Sequence, residues 1–302
     1  MTTSVGELIR RRVHPRTHRS GVGHVPPSTG WSAPHGSVVQ AGGLAVRTLG
    51  DRGAPVLLLH GLGGSERSWG STYDDTLATD RRLIVPDLLG FGQSPHPPTG
   101  YSPDDHANAV VGCLDALGIT EPVAIGAHSL GSLVALRIAA AHPGRVRAIV
   151  AFGPPLYPDR VTARRHIAGT SLMGRLVVLP GPVGHMVCAW MCRHRRLAAK
   201  LAVWGAPDTP AAIARASVDH TWASYSQTIQ QVILDAQAGT WLKTLTIPVR
   251  FIAGDKDPRV DLDYLHKLVA THPNVTLDVW AGGHDLPLVQ ADRCAAAIAD
   301  AI

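Results

Sequence analysis

From residue 37 onward the chain is a succession of short apolar runs separated by turn residues. Residues 37–40 and 44–49 flank Ala41-Gly42-Gly43, a spacing that predicts a β-hairpin. The pattern then changes. Residues 56–59 form a continuous apolar run bounded by Pro55 and His60-Gly61, as a strand buried on both faces of a parallel sheet requires. Runs at 83–85, 123–125 and 146–152 have the same character. Between them, residues 103–117 place apolar side chains at Ala107, Val110, Val111, Leu114 and Leu117, the period of a helix, and 130–141 reads as a second helix. Strand, helix and strand repeated in this order predict an α/β sheet with crossover helices.

The alternation stops after residue 153 and resumes near 241, with a strand at 249–253, a helix at 262–270, a strand at 275–280 and a closing helix at 286–302. The expected organisation is therefore a flexible basic N-terminal arm over 1–36, an α/β core over 37–153 and 241–302, and an inserted helical cap, or lid, over 154–240. The longest apolar stretch, 167–191, falls in that insertion. Arg175, His185, Pro180, Pro182 and four glycines interrupt it, so it reads as short helices over an apolar pocket and not as a stable membrane span.

Composition refines this picture at few points. A chain of 302 residues with 45% hydrophobic content can bury a full core. The net charge of +5 gathers in one place, where Arg10, Arg11, Arg12, Arg16 and Arg19 stand among His, Pro and Gly without aromatic side chains on which bases could stack. A solvated arm is expected there, and no nucleic-acid partner. No apolar segment follows those arginines, which points to a cytoplasmic protein, and Cys113, Cys188, Cys192 and Cys294 are scattered as reduced thiols would be. His185, Cys188, Cys192 and His194 lie close together, but Trp190 and Met191 between them suit packing better than a metal site. No G-x-G-x-x-G or P-loop opens a helix after a strand, so no nucleotide cofactor has a seat, and none is expected.

The chemistry concentrates at Gly126-Ala127-His128-Ser129-Leu130-Gly131, where a buried strand runs into a helix. A serine at that turn is forced into a strained conformation that lifts its Oγ above the sheet, and the positions two before and two after must be small. Ala127 and Gly131 satisfy this, although the usual pattern has glycine at both. Upstream, His60-Gly61-Leu62-Gly63-Gly64 directly follows an apolar strand, and Asp87-Leu-Leu-Gly90-Phe-Gly92-Gln-Ser94 follows the next.

On these motifs the chain from about residue 37 to its end resembles the capped serine hydrolases of the α/β-hydrolase fold, esterase- and lactonase-like. The resemblance implies an oxyanion hole formed by the N–H groups of Leu62 and Leu130, and a triad in the order Ser, acid, His. It maps the base onto His284, in Gly282-Gly283-His284-Asp285 after the last strand, and the acid onto Asp257, with Asp255 the alternative on the same loop. For the Asp87 turn it implies a structural role. The reaction so implied is cleavage of an ester, lactone or thioester of a largely apolar small molecule, needing no metal. Relatives that open epoxides or remove halide carry Asp at the elbow, cofactor-free peroxidases carry an aromatic residue at the Leu62 position and Met at the Leu130 position, and carbon–carbon bond hydrolases carry Asn where His128 stands. Ester cleavage leads, with carbon–carbon hydrolysis and a hydrolase-like small-molecule receptor as alternatives.

Overall fold

The computed structural model describes residues 31–170, 175, 182–207, 209–235 and 237–301. The Arg-rich segment 10–19 and most of 171–181 lie outside them, so the expected arm is described only from Trp31 onward.

Eight strands form one sheet in the order β1-β2-β4-β3-β5-β6-β7-β8. They are β1 (Val38–Ala41), β2 (Leu44–Leu49), β3 (Pro55–Leu59), β4 (Arg82–Pro86), β5 (Val123–His128), β6 (Val146–Phe152), β7 (Val249–Gly254) and β8 (Val275–Trp280). β1 and β2 are the expected hairpin, β2 also runs antiparallel to β4, and every other pairing is parallel.

The continuous apolar runs arise because both faces of the sheet are covered. In β3, Leu57 and Leu59 enter the core cluster on one face while Val56 and Leu58 enter the cluster on the other. Helices α2 (Pro103–Ala116) and α3 (Leu130–Ala141) pack together over the first cluster, and α1 (Ser71–Leu77) packs with the helix Ala291–Ala299 over the second. Ser102 starts α2 with a reciprocal cap to Asp105 and Pro103 in the first turn.

The expected single closing helix is two, Leu286–Val289 and Ala291–Ala299. Gln290 breaks it, with φ −130° and its Nε2 donating to Ala281 O at 2.7 Å. A buried charge network ties the hairpin to the sheet's flank. Arg47 in β2 donates to Glu66 Oε2 at 2.9 Å, Asp74 Oδ1 at 2.7 Å and Trp69 O at 3.0 Å. Removing one partner would leave a buried charge unpaired.

Between β6 and β7 the described chain is helical: Arg160–Thr170, Val183–Arg193, Arg195–Gly205, Ala211–Ala216, Trp222–Thr228 and Ala238–Leu242. The turn Ile229–Ile233 is wider than α-helical, with Leu234 N–H reaching back five residues to Ile229 O at 2.9 Å.

Candidate active site

Ser129 joins β5 to α3 at φ 49° and ψ −116°, and it alone among the described non-glycine residues has a positive φ. The turn is held by backbone bonds on both sides: Ser129 N–H donates to Phe152 O at 2.9 Å and Ser132 N–H to Ser129 O at 2.9 Å. Its close quarters explain the small neighbours. A Cβ on Gly131 would lie 2.4 Å from Leu59 O, and one on Gly61 would lie 3.2 Å from the Ser129 Cβ. Position 127 has room for the methyl of Ala127, which is fully buried. Gly126 answers to a different constraint, since a Cβ there would lie 2.5 Å from Ile298 Cδ1 and 2.8 Å from Leu58 Cδ2.

The loop after β3 passes over this turn. His60 is fully buried; its Nδ1–H donates to Gly61 O at 2.7 Å and its Nε2 accepts Leu88 N–H at 2.9 Å. Burial pushes its pKa down to about 4, so the ring is a neutral brace between the Leu62 loop and the turn after β4. That turn is itself braced, with Asp87 accepting Glu66 N–H at 2.6 Å and Gln93 N–H at 2.7 Å, and Ser94 Oγ donating to Asp87 O at 2.6 Å. Among the described residues, neither Leu62 N–H nor Leu130 N–H has a hydrogen-bond acceptor.

The loops after β7 and β8 bring Asp257 and His284 together. His284 Nδ1–H donates to Asp257 Oδ2 at 2.7 Å, and both residues are buried. The second carboxylate oxygen accepts Arg259 N–H at 2.9 Å. Neutral His284 thereby carries its lone pair on Nε2. Asp255 is turned elsewhere: it is exposed and accepts Gly282 N–H at 2.9 Å.

Three further residues shape the site without having been singled out for a role in it. Gly153, at φ 54° after β6, lies against the pair, and a Cβ there would be 3.0 Å from Asp257 Oδ2 and 3.1 Å from His284 Nδ1. Its one sequence sign is a glycine between a strand and Pro154-Pro155. His128 Nε2–H donates to His284 O at 3.1 Å, and burial, reinforced by His284, lowers its pKa to about 4. Arg259 lines the cavity, and its guanidinium has no carboxylate partner among the described residues.

That cavity, of about 220 Å³, is bordered by Ser129, His284 and the Leu62 loop. Its apolar walls include Pro155, Ile167, Ile213, Ile229 and Ile233, the last two from the widened turn. The arrangement sets a hydroxyl and a carboxylate-bound imidazole on the border of a small, partly apolar space. Cys188 and Cys192 adjoin, but among the described residues no three of His185, Cys188, Cys192 and His194 come together: the His185 ring packs on Trp222 with centroids 5.9 Å apart, and Cys192 Sγ–H donates to His220 O at 3.3 Å.

Comparison with known proteins shows what the chain as a whole is similar to. Residues 54–181 match the family model for the alpha/beta hydrolase fold. The chain is 27% identical over 252 residues to "Probable lysophospholipase BODYGUARD 4" of Arabidopsis thaliana, an alignment covering 76% of this chain and 59% of that protein. It thus spans 59% of the length of this relative and of a second from the same plant, "Probable lysophospholipase BODYGUARD 5". A 114-residue stretch, 36% of this chain and 40% of the relative, is 40% identical to the 2-hydroxymuconate semialdehyde hydrolase of Pseudomonas sp. (strain CF600). Among solved structures, E-2-(acetamidomethylene)succinate hydrolase superposes with a TM-score of 0.70 at 20% identity, covering 88% of this chain and 98% of that one.

Proposed function

The chain is a protein of the α/β-hydrolase fold, and on that premise we propose that it is a serine hydrolase cleaving an ester-type bond through Ser129, His284 and Asp257. The observation that carries this reading is the buried Asp257–His284 pair at 2.7 Å, whose histidine lines the same cavity as the strained Ser129 turn.

In the proposed reaction His284 Nε2 takes the Ser129 proton as Oγ attacks the carbonyl carbon. Asp257 keeps the ring's Nδ1–H directed to itself and stabilises the imidazolium. The Leu62 and Leu130 N–H groups, free of other acceptors among the described residues, stabilise the developing oxyanion. Collapse transfers the proton from Nε2 to the departing alcohol or thiol, and water, activated by the same nitrogen, releases the acyl group. A cavity of about 220 Å³ favours a small substrate. Its apolar walls suit an acyl chain of few carbons, and the Arg259 charge, felt by His128 and Tyr225, suits an anionic group beside the scissile bond.

A panel of short esters, thioesters and lactones, with and without a carboxylate or phosphate, tests the reading. Ser129→Ala is expected to lower turnover by about a thousandfold or more, and Arg259→Gln to raise KM for the anionic members alone. No hydrolysis across the panel together with no fluorophosphonate labelling of Ser129 overturns it in favour of a small-molecule receptor. Carbon–carbon bond hydrolysis is the second reading, carried by the 40% identical stretch shared with 2-hydroxymuconate semialdehyde hydrolase. Faster turnover of 2-hydroxymuconate semialdehyde than of the best ester reverses the order of the two.

A further inference from the structure

Ten large apolar side chains are exposed among the described residues, and seven of them stand on the two consecutive helices Val183–Arg193 and Arg195–Gly205. They are not scattered. Val183, Met186, Val187 and Trp190 follow the spacing of one helical stripe, and Leu197, Leu201 and Trp204 that of another. Met186 is 65% exposed and Trp204 84%. The opposite faces are satisfied: Gly184 and Cys188 on the first helix and Ala198 on the second are buried. A soluble surface rarely gathers so many apolar side chains without a partner for them.

The charge around these stripes selects the partner. Residues 160–207 contain no Asp or Glu and eight cations: Arg160, Arg164, Arg165, Arg175, Arg193, Arg195, Arg196 and Lys200. Arg160 pairs with Asp235 and Arg195 with Asp219. Among the described residues, Arg196 and Lys200 are exposed without acidic partners and adjoin Leu197 and Leu201, and Arg193 ends the first helix one turn beyond Trp190. No helix of the described residues is long and apolar enough to cross a membrane. Helices with an apolar stripe, interfacial Trp and flanking Arg and Lys instead lie in the plane of a bilayer surface, the stripe among acyl chains and the cations at the phosphates. A second copy of the chain is disfavoured, because its own cations would face these across the contact.

We propose that this helical pair is a docking surface for an anionic lipid bilayer. The two helices pack against Ala211–Ala216 and Trp222–Thr228, which contribute Ile213 and Tyr225 to the cavity wall. The docked face is thus the outer side of the layer over the cavity. Docking itself depends on no catalytic residue, so its test and that of the hydrolase reading fail separately.

Sedimentation of the full chain with phosphatidylcholine vesicles, pure or containing about one third phosphatidylglycerol, tests the proposal. Binding to the anionic vesicles is expected, weakened about tenfold or more on pure phosphatidylcholine and by raised salt. The double substitution Leu201→Gln with Trp204→Gln should weaken binding about tenfold or more, and Arg196→Gln with Lys200→Gln should flatten its salt dependence. These side chains are exposed, and an unchanged thermal melt verifies that the variants fold. Absence of wild-type binding, or equal binding by the Leu201→Gln, Trp204→Gln variant, overturns the proposal. So does a concentration-dependent dimer abolished by the same substitutions without vesicle binding, which assigns the face to a second copy.

Discussion

Ser129 occupies a backbone conformation that costs of order 1–3 kcal/mol for a residue with a side chain. The cost persists because the surroundings leave no alternative: its N–H is held by Phe152 O, and Gly131 and Gly61 approach without side chains. The carboxylate that meets His284 is set at the same scale. Asp257 and Asp255 are two residues apart on one loop, but a single carboxylate accepts the His284 Nδ1–H. Asp257→Asn is expected to lower kcat by about a thousandfold or more, because an amide favours the wrong imidazole tautomer. Asp255→Asn should change it less than about tenfold, since its bond to Gly282 N–H is exposed. Steady-state kinetics of the two variants on one ester decide the assignment. The resemblance already pointed to Asp257 with Asp255 as the alternative; residue order on the loop could not by itself exclude Asp255, because which side chain turns inward depends on the Lys256 N–H bond to Gly282 O and on the Arg259 N–H bond to Asp257.

At the scale of elements, the β5-to-α3 junction reads differently from its motif. The departure from glycine at Ala127 leaves the turn intact, and Gly131 has no room for a side chain because a Cβ there would lie 2.4 Å from Leu59 O; at Gly126, outside the motif, a Cβ would press on the side-chain ends of Ile298 and Leu58. Gly126 lies where Ile298, from the helix Ala291–Ala299, meets the sheet. Gly126→Ala should therefore destabilise the fold by about 1–3 kcal/mol through overpacking, seen as a lower midpoint in thermal or urea unfolding. Activity per folded molecule is expected to survive. Periodicity located all eight strands, the central ones because burial on both faces leaves long apolar runs. It failed at Gln290, where a side-chain bond to Ala281 O ends one helix and the chain restarts in another.

For the molecule as a whole, acid is the expected weakness. His60, His106, His128 and His220 have pKa values lowered to about 4 from 6.5, in each case chiefly by burial. The unfolded chain takes up protons near pH 6.5 and the folded one only near pH 4, so their stabilisation is present above pH 6.5 and is lost as pH falls between those values. Thermal midpoints should drop steeply over that window. His106→Gln removes one titrating group while retaining a partner for Thr228, to which His106 Nε2 is bonded at 3.1 Å. The stability of that variant should depend on pH less steeply by up to about 1.4 kcal/mol per pH unit. An unchanged slope by calorimetry at pH 4.5 to 6.5 contradicts the prediction.

The sequence by itself determined the α/β alternation, the hairpin that precedes it, the helical insertion and the serine turn, because each is written in local apolar period or in small residues at fixed spacing. Only the tertiary structure decided what those elements do to one another. It set Asp257 rather than Asp255 against His284, placed Gly153 and Arg259 beside the site, and turned Trp190 and Trp204 outward where the sequence predicted a cover over a pocket. The physical reason is common to all three. A helix that is apolar on several sides does not announce which side is buried, and a loop does not announce which carboxylate turns inward; packing against residues distant in the chain chooses. The serine turn belongs to the first kind of information, and its neighbours to the second.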